Sequence, residues 1–136
     1  MTAILLSIKP AWWAMIASGK KKLEIRKSAP DPARFDYEPM QVLVYVSGTK
    51  HVMGRFTCHT ILKTTQLERL QEMSCVPMAE LEVYADGGQL YGWHVADVEQ
   101  FMEPVPLAEL GLTRPPVSWQ YIDIPDEAVM EDDGGD

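Results

Sequence analysis

Hydrophobic residues in the first third of the chain follow two spacings, first that of a strand and then that of a helix. Residues 2–8 form a short apolar run that is rich in strand-forming residues. Pro10 follows, and proline suits the first turn of a helix because the N–H that it lacks has no partner there. The stripe that this helix is predicted to bury has i, i+3 and i+4 spacing: Trp12, Met15 and Ile16. Trp13 is turned about 100° away and is expected to be partly exposed.

The next segment alternates apolar and charged residues. Gly19 stands where helices commonly end in a left-handed cap. Residues 22–26 read Lys-Leu-Glu-Ile-Arg, a period of two that predicts a strand. Leu23 and Ile25 are expected to face the core, and Glu24 is expected to share the opposite face with the flanking Lys and Arg. An exposed Glu–Arg pair on one strand face would stabilise the fold by under about 1 kcal/mol.

The rest of the chain is predicted to mix strands with short helices. Strands are predicted at four places: residues 41–46, 51–64, 90–102 and 117–122. Short helices are predicted over residues 65–72, 78–84 and 104–110, and a proline-containing loop over residues 28–40. Short helices set between several strands, without a repeat or a dividing linker, predict an α+β fold. The expected form is a small mixed β-barrel with short helices packed around it.

Length and composition predict one compact domain. It has 136 residues, 46% of them hydrophobic, which is enough for a single core. No apolar run approaches the roughly 20 residues of a membrane helix, and no basic-then-apolar leader begins the chain. Its two cysteines lack CxxC or histidine-rich spacing, so neither a disulfide framework nor a metal site is expected. We therefore expect a cytoplasmic protein without a cofactor and without a membrane partner.

The net charge of −8 is unevenly distributed. Residues 123–136 hold seven acidic residues and no basic one, which predicts a disordered acidic tail after a domain at residues 1–122. Residues 1–122 carry a net charge of only −1. Residues 1–27 contain six basic residues and a single acidic residue, Glu24. Positive charge is therefore concentrated where the helix turns into the charged strand.

Four segments in order resemble one known family. They read LLSIKP, GKKKLEIRK, VLVYVSGTKHVMGRF and EPVPLAELGLTRPPVSWQYI. Together they resemble an ASCH domain of the PUA-like superfamily over residues 3–122. The resemblance implies a small β-barrel decorated by helices, whose cleft is lined by the Gly-x-Lys-x-x-Glu-x-Arg segment. It also implies a role in RNA or other nucleic-acid transactions.

The resemblance also implies a set of ligand-binding residues. Carried over by position, they are Gly19, Lys21, Glu24, Arg26, Tyr45, Ser47 and Ser118. Lysine and arginine supply charge-assisted donors to phosphate, and a tyrosine ring offers a stacking face together with a hydroxyl. The leading hypothesis is a cleft that binds single-stranded RNA, a nucleoside or a nucleotide.

Two other functions stay open. Some ASCH relatives cleave single-stranded RNA, and one branch removes the acyl group from N4-acylated cytidine with a lysine, a threonine and a glutamate. Lys21 matches that lysine, whereas Glu24 stands where that branch has threonine. Lys21 and Glu24 are thus tentative catalytic residues of a hydrolase that would use them as general acid and base. The third hypothesis is an interaction module whose acidic tail imitates nucleic acid and engages a protein partner.

Overall fold

The structure, a computed structural model, describes residues 1–125 as eight strands and three α-helices. The strands are β1 (Thr2–Ile8), β2 (Leu23–Arg26), β3 (Met40–Val46), β4 (His51–Cys58), β5 (Ile61–Thr64), β6 (Leu90–His94), β7 (Ala96–Pro106) and β8 (Trp119–Asp123). The helices are α1 (Pro10–Ala17), α2 (Glu68–Ser74) and α3 (Met78–Ala85), with 3₁₀ turns at Pro32–Phe35 and Leu107–Leu110. The predicted strand at residues 2–8 and the helix beginning at Pro10 are confirmed.

The strands form two open sheets, so the prediction of a closed barrel is wrong. One sheet has the order β7-β4-β3-β1-β8, and the other has the order β2-β6-β5. Both long predicted strands are in fact pairs of shorter ones. The first predicted strand is interrupted at residues 59–60 and the second after His94. In each case the two shorter strands belong to different sheets. The predicted α+β class is confirmed. The barrel does not close, because the chain passes from one sheet to the other at these two points.

Both faces of the five-stranded sheet are covered, which explains why its central strands read as nearly continuous apolar runs. β1 and β3 are parallel, and buried parallel strands show this pattern. One face packs against α1 through Ile4, Ile16 and Phe56. The other face packs Leu5 and Leu107 with their neighbours. A third cluster packs the three-stranded sheet against α2 and α3.

The two tryptophans of α1 are placed opposite to the sequence prediction. Trp13 is 7% exposed and packs over Gly54 of β4, where an added Cβ would lie 2.6 Å from the indole ring. Trp12 is only partly buried. Because Gly54 has no side chain, the Trp13 ring can pack closely against β4, and Trp13 is therefore more buried than Trp12.

The described structure continues past the predicted domain boundary at residue 122. β8 ends at Asp123, and Ile124 is buried while it exchanges two backbone hydrogen bonds of 2.9 Å with Met1. The remainder of the predicted acidic tail, residues 126–136, and the partner-binding role proposed for it lie outside the described residues. The helices within residues 1–125 all fall short of the length and apolar character needed to span a lipid bilayer.

Candidate functional site

A cavity of about 670 Å³ opens between α1, β2 and α3, beside the ends of β1 and β3. Its wall combines charged, aromatic and small apolar side chains. The lining includes Ser7, Lys9, Trp12, Lys21, Glu24, Arg26, Ser47, Val83 and Tyr84. A volume of this size lies within the roughly 300–1,000 Å³ of small-ligand sites.

The turn after α1 delivers Lys21 to this cavity. Gly19 has φ +84°, the left-handed conformation predicted for the helix cap. The amides of Lys20 and Lys21 both donate to the carbonyl of Met15 at 3.0 Å, so the chain folds back on the helix end. Gly19 does not line the cavity; it shapes the turn that places Lys21 there.

Lys21 is a buried lysine, only 2% exposed. Its Nζ donates to the carbonyl of Ser74, the last residue of α2, at 2.7 Å. It also lies 4.5 Å from the centre of the Trp12 ring and 3.7 Å from Glu24 Oε1. Burial lowers the pKa of Lys21, and the attraction of Glu24 opposes that change. A carbonyl at a helix C-terminus and an aromatic face both favour a cation there.

Arg26 and Glu24 form a buried pair rather than an exposed one. Arg26 directs Nε and Nη2 to Glu24 Oε2 at 2.8 and 2.7 Å. Its Nη2 also donates to the carbonyl of Ser7 at 2.7 Å, and its Nη1 donates to Ser118 Oγ at 3.1 Å. The side chains of Glu24 and Arg26 are 6% and 12% exposed. The interpretation of this pair as a surface ion pair is therefore wrong.

Glu24 is buried although its neighbours in the alternating segment behave as predicted. Leu23 and Ile25 face the third cluster, and Lys22 is exposed. The Glu24 carboxylate is covered by Lys21 and Arg26, which remove it from solvent. We call Lys21, Glu24 and Arg26 the charge cluster.

Two predicted serines join the charge cluster at the cavity. Ser118, in the segment before β8, accepts a hydrogen bond from Arg26, although 92 residues separate the two in sequence. Ser47, in the turn after β3, lines the cavity and is exposed. Of the seven residues that the resemblance implies, Lys21, Glu24, Arg26 and Ser47 line the cavity, and Ser118 joins it through its hydrogen bond with Arg26.

Tyr45 does not line the cavity. Its side chain is 6% exposed and packs with Leu43 and Val52 in the cluster on the second face of the five-stranded sheet. Side chains alternate along a strand, so Tyr45 points to the same face as Leu43 and into the core. It is enclosed there and presents no face for stacking, which corrects the expectation drawn from the family resemblance.

Sequence reasoning missed two aromatic residues of the cavity wall. The sequence predicts a core position for Trp12 and only a short helix around Tyr84. The sequence feature that could have revealed Tyr84 is the excess of apolar residues in α3. The helix buries Leu81 but leaves Val83 and Tyr84 exposed. Apolar side chains that a short helix does not use for packing are available to a ligand. Lys27 lies over the Tyr84 ring, 4.8 Å from its centre.

No metal centre accompanies this site in the described part of the chain. Residues 1–125 contain no group of three or more His, Cys, Asp or Glu side chains arranged to hold a metal ion.

The family model of the ASCH domain matches residues 6–105 of this sequence. The chain belongs to the ASCH domain family. The resemblance predicted from the four sequence segments is thereby confirmed. A search of curated proteins found no significant match.

Solved structures agree on the fold of this ASCH domain. The ASCH protein of Zymomonas mobilis is 21% identical with a TM-score of 0.76, over 95% of this chain and 92% of that chain. The N-terminal domain of Staphylothermus marinus McrB is 8% identical with a TM-score of 0.54, over 97% and 93%. A hypothetical protein from Leishmania major is 18% identical with a TM-score of 0.52, over 96% and 92%. These identities establish the shared fold alone.

Proposed function

We propose that this ASCH domain binds single-stranded RNA, or a nucleoside or nucleotide, in the cavity beside the charge cluster. The observation that carries the proposal is a buried cluster of two cations and one carboxylate opening on a cavity with aromatic walls. Burying charges is costly, and ionisable groups that are buried beside a cleft are common at functional sites. The family resemblance to nucleic-acid proteins points the same way.

The cavity wall matches the parts of a nucleotide. Trp12 and Tyr84 present aromatic surface, on which any base can stack. Lys9 is exposed at the wall, where an ammonium group attracts a phosphate. Ser47 adds an exposed hydroxyl that can hydrogen-bond a sugar or a phosphate oxygen.

Binding of a labelled single-stranded RNA, followed by fluorescence anisotropy between about 50 and 200 mM salt, tests the proposal. The variants Lys9→Ala and Lys20→Ala remove the same charge. Only Lys9 lines the cavity, while Lys20 is exposed in the neighbouring turn. We expect Lys9→Ala to weaken binding and to lower the slope of log affinity against log salt by about one. Lys20→Ala should leave the slope close to that of the wild type.

Two results would count against this function. Absence of binding to RNA and to mononucleosides at low salt would remove the ligand class. Equal effects of Lys9→Ala and Lys20→Ala would show diffuse attraction to the basic turn instead of binding in the cavity.

A hydrolase in the same cavity is the second candidate. It is favoured by the position of Lys21, an amine with a pKa lowered by burial and 3.7 Å from the Glu24 carboxylate. Such a pair can exchange a proton during hydrolysis. Incubation with single-stranded RNA and with N4-acetylcytidine, followed by chromatography, would detect product. Turnover that is lost in Lys21→Met while binding persists would support an enzyme, and turnover that survives the change would exclude this mechanism.

A further inference from the structure

A strip of aromatic side chains crosses the surface beside the cavity without forming part of its wall. It follows β8, the last strand of the five-stranded sheet, where Trp119 and Tyr121 lie on one face two residues apart. Their rings meet edge to face, with centroids 5.2 Å apart. Arg34 and Phe35, from the 3₁₀ turn, both contact the Tyr121 ring. We call Trp119, Tyr121, Phe35 and Arg34 the aromatic strip.

The aromatic strip begins at the edge of the cavity. Val117 lines the cavity and is fully exposed, and the next residue, Ser118, accepts a hydrogen bond from Arg26 at 3.1 Å. Trp119 follows directly. Its indole N–H donates to Ser28 Oγ at 2.9 Å, at the protein surface. An extended ligand that leaves the cavity past Val117 therefore meets the strip at Trp119.

Arg34 lies over the far end of the strip. Its Cζ is 3.8 Å from the centre of the Tyr121 ring, so the guanidinium sits on the aromatic face as a cation. The residue is exposed, and within residues 1–125 its guanidinium has neither a hydrogen bond nor an ion pair. The side of the guanidinium that is turned away from the ring is therefore available to a ligand. Bases stack on arginine planes as they do on aromatic rings, and the N–H groups suit a phosphate.

Other contacts already hold the 3₁₀ turn against β8. The Asp31 amide donates to Tyr121 Oη at 2.8 Å, and the Asp31 carboxylate caps the turn by accepting from the Ala33 amide at 3.0 Å. Phe35 packs against the core cluster between α1 and the five-stranded sheet. The exposed Arg34 guanidinium is therefore not needed to place the turn, and replacing it should change stability little.

We propose that the aromatic strip binds the nucleotides next to the one in the cavity, so that the ligand of this domain is a single RNA strand and not a free nucleotide. This inference rests on the proposed function and specifies its ligand class. Bases of a single strand are free to stack on Trp119 and Arg34, whereas bases of a duplex are already stacked on one another. Exposed acidic residues in and after the same turn, Asp31, Asp36 and Glu38, keep the strip from being strongly basic. Stacking must therefore supply more of its affinity than charge.

Competition binding followed by fluorescence anisotropy tests this inference. A labelled oligouridylate is displaced by uridine monophosphate and by unlabelled oligouridylates of increasing length. We expect the wild-type protein to bind the oligomers about tenfold more tightly than the monophosphate, because each stacked base adds affinity. Arg34→Ala should lose most of this gain, while the affinity for the monophosphate, which the cavity holds, stays close to the wild-type value. Arg34→Lys should behave like Arg34→Ala, because lysine keeps the charge but offers no planar face.

Two controls accompany these variants. Arg69→Ala removes an exposed arginine of α2 that belongs neither to the cavity wall nor to the strip, and it should keep the full gain with length. An RNA duplex should bind more weakly than a single strand of the same length. All three variants should unfold at the wild-type urea midpoint, so that a loss of affinity reports the lost contact and not unfolding.

Equal affinity for the monophosphate and the oligomers would overturn the inference, and so would equal effects of Arg34→Ala and Arg69→Ala. Full gain in Arg34→Lys would overturn stacking at this position in favour of attraction to phosphate. Each of these results leaves nucleotide binding in the cavity intact. Absence of binding by the monophosphate and by every RNA at low salt would overturn the proposed function as well.

Discussion

Replacing Arg26 with methionine tests whether the charge cluster acts as one coupled unit. The change keeps most of the apolar stem and removes the Arg26 donors that reach Glu24 Oε2, the Ser7 carbonyl and Ser118. The Glu24 carboxylate then stays buried, with the Lys21 ammonium 3.7 Å away as its nearest cation. A buried carboxylate that has lost its guanidinium partner is unfavourable, and for this reason removing one partner of a buried ion pair is costly.

The expected loss is about 3–5 kcal/mol, the usual cost of breaking a buried ion pair from one side. The upper part of this range applies because the two side chains are only 6% and 12% exposed, so water cannot replace the lost donors. For a domain of this size the midpoint of thermal unfolding should fall by roughly 10 °C or more. Arg69→Met, an exposed change on α2, should alter stability by less than about 0.5 kcal/mol.

A double-mutant cycle measured by urea unfolding, with tryptophan fluorescence as the signal, completes the test. Glu24→Met leaves two cations facing each other, so it too should be strongly destabilising. The double variant removes both the unpaired carboxylate and the repulsion, and its loss should be smaller than the sum of the single losses by about 2 kcal/mol or more. Additive losses within about 0.5 kcal/mol would refute the coupling inferred from the structure.

Three further predictions concern burial. Gly54→Ala places a Cβ against the backbone carbonyl of Glu99 and 2.6 Å from the Trp13 ring, and it should lower the free energy of unfolding by about 3 kcal/mol, which urea unfolding would measure. The pKa of Lys21 is lowered in the folded state, so that between this value and 10.5 the unfolded chain binds more protons. Wild-type stability relative to Lys21→Met should therefore rise with pH in that window, and a fall would contradict the shift. Burial raises the pKa of Cys58 to about 12, so a thiol reagent at neutral pH should label partly exposed Cys75 and spare Cys58 until the protein unfolds.

The hydrophobic pattern near the site predicted its strand and helix correctly, but it did not predict which distant residues contact them. The alternation at residues 22–26 correctly placed Leu23 and Ile25 in the core. It could not show that Glu24 is buried as well, because the Ser118 hydroxyl that braces its partner Arg26 lies far along the chain. Lys21 is likewise fixed by the Ser74 carbonyl, 53 residues away.

The positions of strand ends and the direction of side chains were also predicted incorrectly from the sequence. Tyr45 is in the predicted strand, but the sequence does not show which face of the sheet borders the cavity. Tyr45 points to the opposite face and packs in the core there. The predicted strands at residues 51–64 and 90–102 are continuous in pattern, but each changes sheet, at residues 59–60 and after His94 respectively. Hydrophobic pattern reports burial on either side of such a break and does not report the change of partner, so the barrel was inferred from strands that in fact belong to two sheets.

The double variant also separates two reasons for keeping buried charges in this domain. Well-packed apolar residues in place of a buried ion pair often leave a protein as stable as before, or more so. If the Glu24→Met, Arg26→Met protein matches the wild type in stability but does not bind the proposed RNA or nucleotide ligand, stability cannot be what the charge cluster supplies. The cluster would then serve the proposed ligand binding, since Arg26 holds the Glu24 carboxylate in place beside the cavity. A carboxylate held in this way need not reorganise on binding, which is the advantage that a rigid site has over an exposed glutamate.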